Sequence, residues 1–213
     1  MSESLQRPGV TPAAVSAAAV LGRSLNLESF RLAGGTALAW HLGHRLSEDL
    51  DFFSFIPQSI GPILQDALQT ISEDGSVRTG ERTLHARVSG CSVSFFEVEG
   101  RWFDSPHTIS EGFGLASVRE IAAMKLVAVM TRCAKKDFYD LAAISERGIL
   151  LPEMIDCGRR MYDGFDAALP HLYRSFGYFD EAESDPDPVS TTGTGWRAVK
   201  EKIARLRQDF PRF

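Results

Sequence analysis

Two carboxylates, Asp49 and Asp51, flank Leu50 in the printed sequence. Residues two apart on a β-strand point to the same face, so both carboxylates would share one face while Leu50 enters the core. Neighbouring carboxylates repel, and Mg²⁺ relieves this because it prefers oxygen ligands and also binds nucleotide phosphates. The pattern predicts a Mg²⁺ site, unless Asp49 belongs to a polar turn with Ser47 and Glu48 and only Asp51 lies on the strand.

A glycine pair precedes the carboxylates, in the segment Gly34-Gly35-Thr36. It stands between an expected strand and an expected short helix. Two glycines let the backbone approach a bulky anion, and the helix offers free N–H groups and the positive end of its dipole. The segment is therefore either a phosphate loop or a tight turn, and a nearby metal site favours the first interpretation.

Arg45 and Ser47 lie between the glycines and the carboxylates. A guanidinium neutralises phosphate charge and a hydroxyl donates a hydrogen bond to phosphate. Taken alone, the same two residues fit a surface loop in which Arg45 merely pairs with a carboxylate.

A further set of charged residues lies in the second half of the chain. Lys125 stands beside an apolar helical stripe, where it either contacts a triphosphate or extends its ammonium to water. Asp137 and Asp140 are three residues apart and therefore share a helix face, and Lys136 immediately precedes Asp137. One of the two carboxylates is a candidate general base, or both only complement the helix dipole.

The elements that must position these residues change from mixed to helical along the chain. Turn signals and apolar periodicity predict strands at 30–33, 50–55, 76–79, 84–88 and 91–98. They predict helices at 12–24, 36–42, 62–71, 117–133, 136–147 and 196–209, with two or three more between 152 and 179. Residues 181–195, rich in Asp, Pro, Ser, Thr and Gly, are predicted to be a flexible loop. The fold class is α+β.

Composition limits the classes of function. The 213 residues carry a net charge of -5, which excludes a general nucleic-acid coat but leaves room for a local basic patch. Cys91, Cys133 and Cys157 are far apart and lack CxxC spacing, which argues against a zinc site or disulfides and favours a reducing compartment. No apolar run reaches the ~20 residues of a membrane span. We expect a cytoplasmic protein with no membrane partner.

Four spaced motifs resemble one family. The segments FRLAGGTALA (30–39) and LGHRLSEDLDFF (42–53) closely resemble the opening motif of the AbiEii/AbiGii toxin family. These are nucleotidyltransferase-like proteins of bacterial abortive-infection and toxin–antitoxin systems. AMKL (123–126) and KDFYDL (136–141) resemble the downstream lysine and KDxxDL motifs, and YFDEAE (178–183) also matches. Several motifs in the expected order are far more specific than any one alone.

The resemblance implies a fold and a reaction. The fold would be a DNA polymerase β-like nucleotidyltransferase domain, a mixed sheet with flanking helices, over 1–114. A helical C-terminal domain over 115–213 would follow and complete the active site. The reaction would be Mg²⁺-dependent transfer of a nucleotide from an NTP to an acceptor, which for some relatives is the 3′ end of tRNA. The usual partner would be an antitoxin from the same operon.

The resemblance also implies roles for the residues above. Gly34, Gly35 and Thr36 would cradle the triphosphate, and Arg45 and Ser47 would also bind the nucleotide. Asp49 and Asp51 would bind Mg²⁺, and Lys125 would contact phosphate. Asp137 would be the base or an essential acid, supported by Lys136 and Asp140.

One position departs from the pattern of related enzymes. Many polymerase β-like enzymes carry a third carboxylate on a later strand, and the equivalent position here is Ser94 on the strand at 91–98. Glu97 is three residues on and is expected on the opposite face. Either Asp137 completes the site, or the chain is a catalytically impaired nucleotide-binding or protein-interaction module of the same fold. A third alternative is a transferase that attaches a nucleotide to a partner protein, or a kinase-like transferase.

Overall fold

The chain forms two compact units in the computed structural model, which describes residues 3–210. One unit comprises Met1–Gly100 and Asp104–Ser117, and the other comprises Arg101–Phe103 and Val118–Phe213. The first unit contains the sheet and the second is built from helices. No helix within residues 3–210 is long and apolar enough to cross a membrane.

A mixed sheet forms the centre of the first unit. Its strands are β1 (Arg31–Ala33), β2 (Leu50–Ser54), β3 (Arg78–Gly80), β4 (Thr83–Val88), β5 (Cys91–Glu97), β6 (His107–Thr108) and β7 (Gly114–Leu115). Their order across the sheet is β3-β4-β5-β2-β1-β7-β6. Since β2 runs parallel to β5 and antiparallel to β1, the predicted mixed sheet and α+β class are confirmed.

Alternation along the strands separates an apolar face from a more polar one. On β2, Leu50 and Phe52 are buried while Asp51 is half-buried. Phe52 stacks on Phe95 of β5 with the ring centroids 5.1 Å apart, and Phe113 meets Phe52 edge-on. Residues two apart share a face, so this apolar set leaves the opposite face to Asp51.

Three helices belong to the first unit: α1 (Pro12–Ser24), α2 (Gly34–Leu42) and α3 (Pro62–Ile71). Helix α1 begins as its sequence predicts, because Thr11 caps it and Pro12 needs no hydrogen-bond partner at the first helical position. Helix α2 follows β1 directly, with no side chain capping its first turn. The backbone N–H groups at Gly34 and Gly35 are therefore left for other acceptors.

Two strands are absent from the sequence prediction. Strands β6 and β7 contain two residues each, and β7 pairs with β1 through the backbone. Such short pairings leave no apolar alternation in the sequence, so periodicity does not detect them. Strand β3 also begins two residues later than predicted, at Arg78.

The second unit consists of α4 (Val118–Thr131), α5 (Lys135–Glu146), α6 (Leu151–Met161), a 3₁₀ turn (Phe165–Ala168), α7 (Leu169–Ser175), α8 (Asp180–Glu183) and α9 (Trp196–Gln208). Helix α4 packs against α5, α6 and α7, and α5 also packs against α9. The buried side chains of α9 are Val199, Ile203 and Leu206, spaced as one helix face requires.

The polar stretch between α7 and α9 is held by specific contacts. Asp185 accepts a hydrogen bond from the backbone N–H of Lys135 at 2.9 Å, and Asp187 forms an ion pair with its ammonium at 2.9 Å. Glu183 accepts a hydrogen bond from the indole N–H of Trp196 at 3.0 Å. The acidic residues that predicted a flexible loop at 181–195 thus supply acceptors that attach it to α5 and α9.

Candidate active site

Asp51 lies in the middle of the sheet. Its Cα partners are Ala33 on β1 and Ser94 on β5. Ala33 immediately precedes the glycine pair, so the end of β1 brings the start of α2 alongside this carboxylate. The sheet pairing therefore joins two motifs that are well separated along the chain.

Asp49 lies one residue before β2 and is exposed. The Thr36 hydroxyl donates a hydrogen bond to the backbone carbonyl of Asp49, and its oxygen lies 2.9 Å from Ser47 Oγ. Burial first, and then the charges of Asp49 and Asp51, raise the pKa of the Cys91 thiol to about 12. Both carboxylates thus act on the same buried thiol, although only Asp51 is within the strand.

The glycine pair approaches the charged residues closely. Gly34 has a φ of +64°, and a Cβ there would lie 3.0 Å from Asp51 Oδ2. A Cβ on Gly35 would lie 2.6 Å from Arg45 Nη2 and 2.9 Å from Ser47 Oγ. A side chain at either position would require these polar groups to shift, so the start of α2 closely meets a carboxylate on one side and a guanidinium on the other. This arrangement suits an anion that also carries a divalent cation.

Thr36, Arg45 and Ser47 are almost fully buried. Arg45 donates a hydrogen bond to the Leu46 carbonyl at 3.0 Å, and Thr36 and Ser47 bond each other. These contacts hold the segment between α2 and β2 against the start of α2. The nucleotide-binding roles that the family resemblance gives these three residues stay predictions.

The predicted metal ligands, Asp49 and Asp51, both belong to the first unit. Within residues 3–210, no group of three or more His, Cys, Asp or Glu side chains is arranged to hold a metal ion. Mg²⁺ is commonly bound by one or two protein carboxylates, with water and substrate phosphates filling the other positions. Asp51 fits such a site, because the missing Cβ of Gly34 leaves space beside its Oδ2. The metal-binding role of Asp49 and Asp51 stays a prediction.

Lys125 belongs to a buried ionic cluster in the second unit. Its ammonium lies 2.8 Å from Asp137 Oδ1 and 2.5 Å from Asp140 Oδ2. Arg132 binds both oxygens of Asp137, through Nε at 2.7 Å and Nη2 at 2.8 Å. Lys125 is only 3% exposed, so its ammonium does not extend to water. Lys136 is exposed on the same helix as the two carboxylates. Roles for these residues in phosphate contact and base catalysis stay predictions.

The cluster predicts how stability varies with pH. Burial alone would raise the pKa of Asp137, but the charges of Lys125 and Arg132 outweigh it and hold the pKa below its usual value. A lowered pKa in the folded state stabilises the protein above the unfolded pKa, and this stabilisation is lost as the pH falls through the folded pKa. The difference in unfolding free energy between wild type and Asp137→Asn should therefore narrow below about pH 4.

Urea unfolding of both proteins between pH 3 and pH 7 measures that difference. The exposed Asp66→Asn is the matched control, with an expected change within about 0.5 kcal/mol throughout. A gap between wild type and Asp137→Asn that stays constant down to pH 3 would contradict the prediction.

Sequence reasoning missed His85. Its Nδ1 lies 3.0 Å from Ser94 Oγ. The tight turn that places Val88 opposite Cys91 also places His85 opposite Ser94. Counting back from the turn at Gly90 is the signal that predicts this pair, because register in a hairpin is set by its turn. Glu97, in contrast, accepts the Ile60 N–H at 3.3 Å and stays away from this pair.

One known protein is similar to this chain in sequence, and two solved structures are similar to it in fold. An uncharacterized protein of Aquifex aeolicus (strain VF5) is 32% identical over 188 residues, which cover 85% of this chain and 87% of that protein. JHP933 from Helicobacter pylori superposes with a TM-score of 0.53 at 15% identity, over 91% of this chain and 87% of that chain. MenT4, a nucleotidyltransferase toxin of Mycobacterium tuberculosis H37Rv, has a TM-score of 0.52 at 20% identity, over 94% and 87%.

The two solved structures support the nucleotidyltransferase fold, and the sequence supports the family. The family model for the nucleotidyl transferase AbiEii toxin of type IV toxin–antitoxin systems matches residues 18–213. This match spans the glycine pair, the carboxylates and the buried lysine cluster together. The chain belongs to the AbiEii nucleotidyltransferase toxin family.

Proposed function

We propose that this protein transfers a nucleotide from an NTP to a hydroxyl of RNA, at the 3′ end of tRNA, in a Mg²⁺-dependent reaction. It would act in this way as a toxin that is countered by a cognate antitoxin. The observation that carries the proposal is the close approach of Gly34 and Gly35 to Asp51 and Arg45. Phosphate at the start of α2 and a cation at the carboxylates would then be immediate neighbours.

Each part of this site has a distinct task. The N–H groups at the start of α2 bind triphosphate oxygens, and Arg45 adds positive charge beside them. Asp49 and Asp51 would hold Mg²⁺, which when bound supplies charge neutralisation at the α-phosphate. The buried bonds among Thr36, Ser47 and the Asp49 carbonyl fix the distance between the loop and the carboxylates. Orientation of this kind is a major part of catalysis.

Incubation of the purified protein with each α-labelled NTP, Mg²⁺ and total tRNA tests the proposal. Label in RNA with wild type but not with Asp51→Asn would support it and identify the transferred base. Label in a protein instead of RNA would identify a protein-modifying transferase. Omission of Mg²⁺ should abolish the label, and addition of Mg²⁺ should restore it.

A second candidate function is nucleotide binding without transfer. It is favoured by the residue beside Asp51, which is Ser94 and not an acid. Measurable NTP binding with no label in either RNA or protein would support this candidate and contradict the first.

The glycine pair gives a further prediction. Gly34→Ala forces a side chain into a φ of +64° and against Asp51, whereas Gly43→Ala forces one into a φ of +61° with nothing within 4 Å. Both variants should lose about 1 kcal/mol of stability from the left-handed backbone. Only Gly34→Ala should also lose turnover, by about 100-fold, because a displacement of about 1 Å at the site can lower the rate by this factor.

Urea unfolding and the labelled transfer assay measure the two effects separately. Equal turnover in the Gly34→Ala and Gly43→Ala variants would show that contact with Asp51 at position 34 is unimportant.

A further inference from the structure

A row of polar residues crosses the sheet at the level of Asp51. Sheet register places Asp51 beside Ser94, Ser94 beside His85, and His85 beside Arg78. Directly paired residues on neighbouring strands point to the same face, and the strands lie about 4.8 Å apart. Ser94 therefore stands between the carboxylate and the imidazole.

Contacts fix the imidazole toward this serine. His85 Nδ1 lies 3.0 Å from Ser94 Oγ, and the ring meets Phe96 edge-on with the centroids 5.7 Å apart. Phe96 in turn stacks on Phe53 at 4.9 Å. Ser94 and His85 are both half-buried, so the pair is held in place without being sealed from substrate.

A serine in this position has a defined hydrogen-bonding capacity. When neutral His85 carries its proton on Nε2, Nδ1 accepts the Ser94 hydroxyl proton. Ser94 Oγ then keeps lone pairs for another hydroxyl group, as a carboxylate would. The signature of an activated hydroxyl is this distance of about 2.6–3.2 Å between a hydroxyl and a base whose ring is oriented by a further group.

We propose that Ser94 and His85 together take the proton of the acceptor hydroxyl, in place of a third carboxylate. Ser94 Oγ accepts the hydrogen bond of the acceptor hydroxyl. As the acceptor oxygen bonds to the α-phosphorus, the bond from that phosphorus to the bridging oxygen breaks and pyrophosphate leaves. The acceptor proton passes to Ser94 Oγ while the Ser94 proton passes to His85 Nδ1, so atoms and charge balance.

Ser94 is in this scheme the residue that contacts the acceptor hydroxyl, and His85 acts through it by taking up its proton. The inference rests on the proposed function, because it concerns the acceptor at that same site. Asp51 is a poor alternative base, since its charge is needed for the cation. Asp137, to which the family resemblance gives this role, is fully buried and paired with Lys125 and Arg132. Glu97 points away, toward Ile60 and Arg82.

Turnover of His85→Asn tests the inference. Asparagine keeps an oxygen near the position of Nδ1 and can still accept the hydroxyl of Ser94, but it cannot take up a proton. We expect kcat to fall about 100-fold while KM for the NTP stays within about twofold, because a general base contributes at this scale and does not bind the nucleotide. Ser94→Ala should lose a similar factor.

Two variants complete the design. Ser92→Ala, an exposed serine on the same strand, is the matched control and should turn over like wild type. In the His85→Asn background, Ser94→Asp should regain at least about tenfold, since a carboxylate takes the proton directly. Urea unfolding checks that each variant is folded. If the double variant does not fold, the kcat values of His85→Asn and Ser94→Ala test the inference.

A histidine ¹⁵N NMR spectrum gives a readout that is independent of turnover. The Nδ1 resonance of His85 should have the shift of a hydrogen-bond acceptor and should move in Ser94→Ala. Wild-type kcat in His85→Asn, or a nucleotide adduct on Ser94 in the mass spectrum, would overturn the inference alone. Absence of transfer by wild type would instead remove the proposed function, and this inference with it.

Discussion

Asp51→Asn should lower kcat for nucleotide transfer about 1,000-fold while the protein stays folded. Asparagine has the shape of aspartate but lacks the charge that holds a divalent cation. A bound cation contributes several kcal/mol to stabilising the charge of a phosphoryl transition state, and about 4 kcal/mol corresponds to this factor. Asp51 is half-buried on the polar face of the sheet, so the substitution leaves the apolar core intact.

The labelled transfer assay and urea unfolding, run on the same preparation, measure the two effects. Asp66→Asn is the matched control, because it removes an exposed carboxylate from α3 in the same unit. It should change neither turnover nor stability appreciably. Asp51→Asn with turnover within threefold of wild type would refute the assignment of this residue to the metal.

Lys125→Met should destabilise the protein by about 3–5 kcal/mol, the range for breaking a buried ion pair by removing one partner. Lys125 pairs with two carboxylates, and the side chains of Asp137 and Asp140 are both fully buried. Arg132 still faces Asp137 in this variant. The two buried carboxylates then lack the positive charge of Lys125. They must either remain charged at a high cost in free energy or bind protons.

Urea unfolding at pH 7 measures this loss. Lys136→Met is the matched control, since Lys136 is exposed at the start of the same α5 helix, and it should stay within about 0.5 kcal/mol of wild type. Adding Asp137→Asn and Asp140→Asn to Lys125→Met should recover part of the stability, because the stranded charges are then gone. A loss of unfolding free energy in Lys125→Met no larger than in Lys136→Met would show that the ion pairs of Lys125 do not stabilise the protein.

The sequence predicted the strand position of Asp51, but it did not predict the ion pairs of Lys125. The sequence by itself determined the local features of the first unit. Alternation at Leu50, Asp51 and Phe52 follows from the period of two of a strand, and the capped start at Thr11 and Pro12 follows from the free N–H groups of a helix. These are short-range effects, which residues a few positions apart fully specify. The spaced motifs, which lie along most of the chain, also indicated the family from the sequence alone.

Only the tertiary structure decided which residues meet across the chain. Ser94 lies beside Asp51, the side chains around Lys125 are Asp137 and Asp140, and neither choice follows from local pattern. Sheet register pairs backbones from distant segments, and a one-residue slip would send every side chain to the other face. For the lysine, burial makes pairing necessary, since an unpaired ammonium is costly away from water. Which carboxylates supply that pairing depends on how α4 and α5 pack, and therefore on the folded unit as a whole.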